Sequence, residues 1–381
     1  MACLLLFVSF AKKVKSFKGF FIRHNLSGFL FFRVSLSLLI GSLFLFFIWL
    51  VFAATTITFP SIENPLVFYS NQTRDDIKAV FYRAIKEAKS HVHLSIYGLT
   101  DASLIHMLNQ KGLNTPIEVY YDSLASPKLN KKLKTTRSLY SVKTKGLMHR
   151  KILVLDKELI FLGSANFTPS SLLHHSNLVI GLYHPPLANF LQDPTNSYYS
   201  FEINQQQAEV FLLPIAGKEA LSRLLELINQ AKKTIDIASF TLTHPLICDA
   251  LISAKSRNVS LNIVLDGYSA KGASKKALDG LKAQGLAVCT SLGAHLLHHK
   301  LCVIDQEILI TGSANWTKAA FSKNADLLLI LHLKDPKLKK FLKKLCKIIK
   351  VESKLIGITI QGSSSLALIS TSTPSEMIVS T

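Results

Sequence analysis

Two stretches of this 381-residue chain carry one spacing: His-x-Lys, four residues, Asp, six residues, then Gly-Ser-x-Asn. In the first the fixed positions are His149, Lys151, Asp156, Gly163, Ser164 and Asn166, and in the second His298, Lys300, Asp305, Gly312, Ser313 and Asn315. Six positions recurring in register imply a duplicated unit, and the flanking sequence repeats as well. An amphipathic stretch, Asp76 to Ala88, leads to a strand candidate at His93 to Thr100, as Gly217 to Ala231 leads to one at Asp236 to Thr243. A second strand pair ends at Asp122 and Asp266.

Helices alternating with β-branched strands predict layered α/β halves, each around a largely buried sheet. The period is too long for a solenoid, so the expected fold class is α/β: two repeated α/β/α sandwich halves packed about a pseudo-twofold axis. The first half is expected over 55–190 and the second over 191–350. The stretch from Tyr183 to Asn204, with Pro185, Pro186 and Pro194, reads as their connection. Residues 351–381 turn Ser/Thr-rich and read as a disordered tail.

On a strand, His-x-Lys puts both side chains on one face, and Gly-Ser-x-Asn after the next strand can bring a hydroxyl and an amide beside them. Packed about a pseudo-twofold axis, the halves would converge two histidines, two lysines and two asparagines on one cationic pocket. Such a pocket fits a phosphodiester. Lysines and asparagines hold the non-bridging oxygens, one histidine attacks phosphorus, and the other protonates the leaving alcohol and then activates water. The charge stabilisation comes from side chains, so neither a metal nor a cofactor is expected. Asp156 and Asp305 read as residues that hold the motif in place rather than as nucleophiles.

Charge and hydropathy add a location. The chain carries 44 basic and 24 acidic residues, a net charge of +20, which excludes an acidic disordered chain and favours anionic partners. Six of the basic residues and none of the acidic ones precede residue 55, leaving the remainder at +14. Residues 34–54 form an uncharged apolar run that reads as a transmembrane signal-anchor behind a basic cytoplasmic leader, 1–33. The expected location is therefore a single-pass membrane anchor with the catalytic region outside the cytoplasm, or a secreted protein if the leader is cleaved after Ala53. Between Lys337 and Lys350 an apolar helical face opposes seven lysines, which fits a terminal helix docked on the core or one lying on an anionic membrane.

The paired motifs resemble those of the phospholipase D superfamily over roughly residues 75–335. That resemblance implies a two-lobed α/β fold, a phosphohistidine intermediate and no required metal. Its members hydrolyse or transfer phospholipid headgroups, make cardiolipin, or cut nucleic acid. The expected activity is a phospholipase D-type phosphodiesterase acting on phospholipid headgroups, similar to membrane-anchored bacterial enzymes and cardiolipin hydrolases. The alternatives are an endonuclease cutting DNA or RNA and a cardiolipin synthase-like phosphatidyl transferase. The expected partners are a phospholipid membrane or nucleic acid, met by a monomeric catalytic unit with both motifs in one chain.

The same resemblance implies an acid downstream of each Gly-Ser-x-Asn that supports a catalytic histidine. Asp326 holds that place in the second copy, whereas the first has Asn177. Because the supporting acid in this superfamily can come from the opposite half, the resemblance assigns Asp326 to His149 as nucleophile and leaves His298 as general acid and base. The candidate catalytic set is His149, Lys151, Asp156, Ser164, Asn166, His298, Lys300, Asp305, Ser313, Asn315 and Asp326. His174 and His175 lack a carboxylate or cysteine at ligand spacing and read as surface or pocket rim. Cys302 reads as a small buried hydrophobe, Tyr97 and Phe240 as matched core or pocket wall, and Lys128 to Lys134 with Arg137 as a solvated basic face or channel lining.

Overall fold

The computed structural model describes residues 25–55 and 57–355 and divides the chain into two units, Met1–Thr58 and Phe59–Thr381. In the first unit Asn25–Thr55 is a helix. Among the described residues, no helix is long and apolar enough to cross a membrane. The transmembrane anchor expected at 34–54 does not stand, and neither does the location outside the cytoplasm that rests on it. The leader up to residue 24 and the tail from residue 356 lie outside the described residues.

The second unit holds two sheets. The first contains β1 (Leu66–Tyr69), β2 (Val92–Ile96), β3 (Ile117–Tyr121), β4 (Ser138–Ser141), β5 (Lys151–Leu155), β6 (Leu159–Gly163) and β7 (Val179–Tyr183), in spatial order 1-7-6-5-2-3-4. The second contains β8 (Tyr198–Ile203), β9 (Gln206–Leu212), β10 (Thr234–Ser239), β11 (Ser260–Leu265), β12 (Val288–Ser291), β13 (Lys300–Ile304), β14 (Ile308–Gly312), β15 (Leu327–His332) and β16 (Ser353–Leu355), in order 16-12-11-10-13-14-15-9-8. Seven strands correspond between the sheets; β16 and β8 extend the two edges of the second. β16 lies in the stretch expected as tail and pairs with β12. The Pro185–Gln192 helix leads from β7 into β8, which already belongs to the second sheet.

β5 and β13 read KILVL and KLCVI and are buried throughout, as strands covered on both faces must be. Ile152, Val154 and Ile160 of the first sheet share one apolar cluster with Leu301, Val303 and Leu309 of the second, so the sheets meet face to face. Outer helices bury one stripe each: Ile77–Glu87 turns Ile77, Val80, Phe81, Ala84 and Ile85 inward, and Asp76 accepts from the Ala79 amide to start it. In the Pro336–Val351 helix, Leu338, Leu342, Leu345 and Ile349 join the inter-sheet cluster, so the apolar face considered for a membrane surface is taken by the core.

Register fixes the motifs. Ile96 faces Lys151 across β2 and β5, and Ser239 faces Lys300 across β10 and β13, which puts each lysine at the same corner of its sheet. Gly163 (φ +153°) and Gly312 (φ +137°) end β6 and β14 where a Cβ would collide with the carbonyl oxygens of Leu178 and Leu327. Only glycine allows the neighbouring strand to come this close.

Asp156 and Asp305 occupy the opposite end of the motif strands. Asp156 and Lys157 (φ 55° and 60°), like Asp305 and Gln306 (53° and 58°), form two-residue hairpin turns. The Asp156 carboxylate accepts from the amides of Lys89, Ser90 and His91 at 2.6 to 3.1 Å, and Asp305 accepts from Lys232, Lys233 and Thr234 at 2.7 to 2.9 Å. Each anchors the entry to the neighbouring antiparallel strand, β2 or β10. Asp305→Ala should therefore lower unfolding free energy by about 1–3 kcal/mol in denaturant titration while turnover per folded molecule persists. Lost turnover at unchanged stability would place this carboxylate in the chemistry.

Candidate active site

The two motif corners meet at the seam between the halves. Short parallel bridges join Met148 to Ala325 and Ser176 to Leu297. The His149 amide donates to Ala325 O (2.7 Å) and the His298 amide to Ser176 O (2.9 Å). Each histidine is thus fixed by backbone from the opposite half. Asp122 and Asp266 tighten the same loops, accepting from the amides of Met148 (3.3 Å) and Leu297 (2.9 Å). Sequence reasoning placed these acids only at strand ends; their matched positions in the repeat were the available signal.

The ring environments differ. His149 Nδ1–H donates to Asp326 Oδ1 (2.7 Å), which also accepts from Ser313 Oγ (2.7 Å). His298 Nδ1–H donates to Asn177 Oδ1 (3.1 Å), which also accepts from Ser164 Oγ (2.9 Å). Asn177 Nδ2 donates to Ser171 O (2.9 Å), which sets the amide orientation. Both histidines therefore present Nε2 to the pocket. The two serines of Gly-Ser-x-Asn hold the residues that hold the rings, and Ser171, which also accepts from the Asn166 amide (2.9 Å), is a support that no motif marked.

Lys151 Nζ donates to His149 O (2.7 Å) and Lys300 Nζ to His298 O (2.8 Å). The ammonium of Lys151 lies 5.0 Å from the Tyr97 ring centroid and that of Lys300 5.2 Å from Phe240. Tyr97 stands edge-on to His149 at 5.0 Å and Phe240 lies 5.2 Å from His298, so these aromatics wall the pocket. Asn166 and Asn315 follow β6 and β14 half-buried, each with an amide oxygen lacking a protein partner. Asp156 and Asp305 lie at the far ends of the strands, away from this cluster.

Burial controls the charges. Desolvation brings the Lys151 ammonium down to about 7 despite Asp326 and Asp122, and pushes Lys300 far below its ordinary value, with Lys151 adding repulsion. His149 is lowered by burial and then by Lys151, against the pull of Asp326, whereas His298 falls well below its ordinary value through burial, Lys300, Lys151 and His149. Burial opposes ionisation of Asp326, but His149, Lys151 and Ser313 hold it below the usual carboxylate range. An anionic group bound beside them would favour the charged form of both lysines.

His175 is half-buried at 6.1 Å from His298, and His174 stacks on His295 at 4.8 Å, which places this cluster on the pocket rim. Among the described residues no group of three or more His, Cys, Asp or Glu side chains could hold a metal ion. Cys302 is fully buried on β13.

The family model described as cardiolipin synthase, PLD-like domain, matches residues 81–197 and 224–349. A mitochondrial cardiolipin hydrolase of Chlamydomonas reinhardtii is 34% identical over 119 residues, 31% of this chain and 52% of that protein. A phospholipase D of Rickettsia conorii is 29% identical over 134 residues, 35% of this chain and 66% of that protein. The chain thus spans about half the length of the cardiolipin hydrolase it matches. The crystal structure of phosphatidylserine synthase from Haemophilus influenzae superposes with a TM-score of 0.61 over 80% of this chain and 90% of that one, at 13% identity, and shares the fold.

His298 has a neutral side-chain partner in Asn177. A carboxylate there would stabilise protonated His298, so Asn177→Asp should raise that histidine's pKa by about one unit or more. The limb of the pH–rate profile that reports loss of the acid should move to higher pH by the same amount. An unmoved limb would show that His298 does not supply the proton.

Proposed function

We propose that this chain, which belongs to the cardiolipin synthase, PLD-like domain family, is a phosphodiesterase that releases headgroups from phospholipids through a phosphohistidine. The observation that carries this reading is the unequal support of the two histidines: a buried carboxylate from the opposite half holds His149, and a neutral amide holds His298. The names of the relatives, cardiolipin hydrolase and phospholipase D, supply the substrate class.

His149, kept neutral by its lowered pKa, attacks phosphorus with Nε2 while Asp326 stabilises the imidazolium that forms. The bond from phosphorus to the headgroup oxygen breaks, and that oxygen takes the proton from His298 Nε2. Water then gives its proton to His298 and attacks phosphorus. The phosphorus–nitrogen bond breaks and phosphatidic acid leaves. Lys151 and Lys300, with the amides of Asn166 and Asn315, hold the non-bridging oxygens as charge builds on them.

In the free enzyme His298 sits well below its ordinary pKa, so its acid form grows as pH falls. For a headgroup alcohol, kcat/KM should rise from pH 8 toward pH 6. For an aryl leaving group, which needs little protonation, it should change little over that range until His149 begins to protonate.

The full chain should be incubated with vesicles of cardiolipin, phosphatidylglycerol and phosphatidylethanolamine, and with single- and double-stranded DNA and RNA. Release of a lipid headgroup is expected, with activity retained in EDTA. Cleavage of nucleic acid alone would replace the lipid reading with that of a nuclease in the same family.

A further inference from the structure

The Pro336–Val351 helix closes only part of the inner face of the second sheet. Between it and β10, β11 and β13 lies a cavity of about 300 Å³, walled by Ala238, Val264, Val303, Leu342 and Ile349. Lys339, Lys343, Lys347 and Lys350 stand along its edge, spaced by one helical turn each. No acidic residue lies between Pro336 and Val351 to balance them. The acid that reaches the cavity is Asp236, whose carboxylate accepts from Asn262 Nδ2 (2.8 Å), while Lys350 donates to Asn262 Oδ1 (3.1 Å). Burial pushes the Asp236 carboxyl above its ordinary value, while Asn262 and Lys350 pull it down.

The duplication supplies a control. At the corresponding place in the first half, His93, Ser95 and Tyr120 stand where the second has Asp236, Ala238 and Val264. Tyr120 stacks on Tyr140 at 4.8 Å and lies 5.2 Å from His93, and with Arg150 these side chains leave only about 40 Å³. One copy fills the space with rings; the other keeps it open, apolar inside and cationic at the edge.

We propose that this cavity binds a single-chain anionic amphiphile, its hydrocarbon chain between helix and sheet and its phosphate or carboxylate head among Lys339, Lys343, Lys347 and Lys350. The volume is at the lower end of ligand pockets, which suits one chain better than two. Apolar walls reward a hydrocarbon tail, and a row of ammonium groups selects its head by charge. The site is separate from the catalytic pair: Val303 pairs with Asp236 and Lys300 with Ser239, three residues along the same strands, about 10 Å away. The proposal does not depend on the reaction the pair performs.

Titration calorimetry on the full chain, purified without anionic detergent and kept below micelle concentrations, tests it. Decyl phosphate should bind saturably at one per chain, and about fifteenfold more tightly than octyl phosphate, given roughly fourfold per methylene. Inorganic phosphate and decyltrimethylammonium should not bind there. Lys343→Gln with Lys347→Gln should weaken decyl phosphate at least tenfold. Val264→Tyr, which copies Tyr120, should abolish binding at an unchanged melting temperature. Equal binding of the cationic amphiphile, or binding indifferent to the lysine pair, would overturn the proposal. Binding of anionic vesicles but not of decyl phosphate, lost with the same lysines, would make the row a bilayer-facing surface and also overturn it.

Discussion

A carboxylate with no exposure to solvent, Asp326, is the constraint around which the seam between the two halves is built. An isolated buried anion is costly, and this one is offset by the His149 ring and the Ser313 hydroxyl, both at 2.7 Å, with Lys151 nearby. Two of these groups belong to the first half and one to the second, so the interaction exists only when the halves are packed in register. The backbone bridge from His149 to Ala325 brings the ring to the acid, and the close approach at Gly312 brings β15, which begins just after Asp326, alongside β14.

Duplication followed by divergence explains most of what surrounds it. The halves repeat strand order, motif spacing, turn geometry and the anchoring of the preceding loop by Asp122 or Asp266. They differ where a single copy needs only one of a function. Asn177 keeps the hydrogen bonds of Asp326 without the charge, so the two histidines share a geometry but differ in the imidazolium they can sustain. The cavity under the basic helix diverges in the same way, with Val264 opening what Tyr120 closes.

Local patterns made much of this legible. The doubled spacing led to a duplicated α/β architecture, and the apolar runs at His93 to Thr100 and Asp236 to Thr243 fell on β2 and β10. The Asn177 and Asp326 substitution could be read by counting residues. Long-range contacts were not available to the same reading. Asp156 and Asp305 read as residues that hold the motif in place, but what they hold, amides 65 to 73 residues away at the end of the strand remote from the pocket, is set by folding. The supports Asp122 and Asp266 belong to no motif because their targets are backbone amides 26 and 31 residues away, and Ser171 acts locally on Asn166 and Asn177 but lies outside the repeated spacing. The apolar run at 34–54 suggested a span by composition, and among the described residues no helix meets the length and hydropathy that a span requires.

Trapping the intermediate tests the unequal histidine pair directly. Wild-type protein quenched during turnover of a substrate bearing an aryl leaving group should carry a phosphorus adduct on His149, located by peptide mass spectrometry. His298→Ala should accumulate that adduct and His149→Ala should form none. An adduct on His298, in wild-type protein or in His149→Ala, would contradict the account and assign the neutral Asn177 contact to the nucleophile.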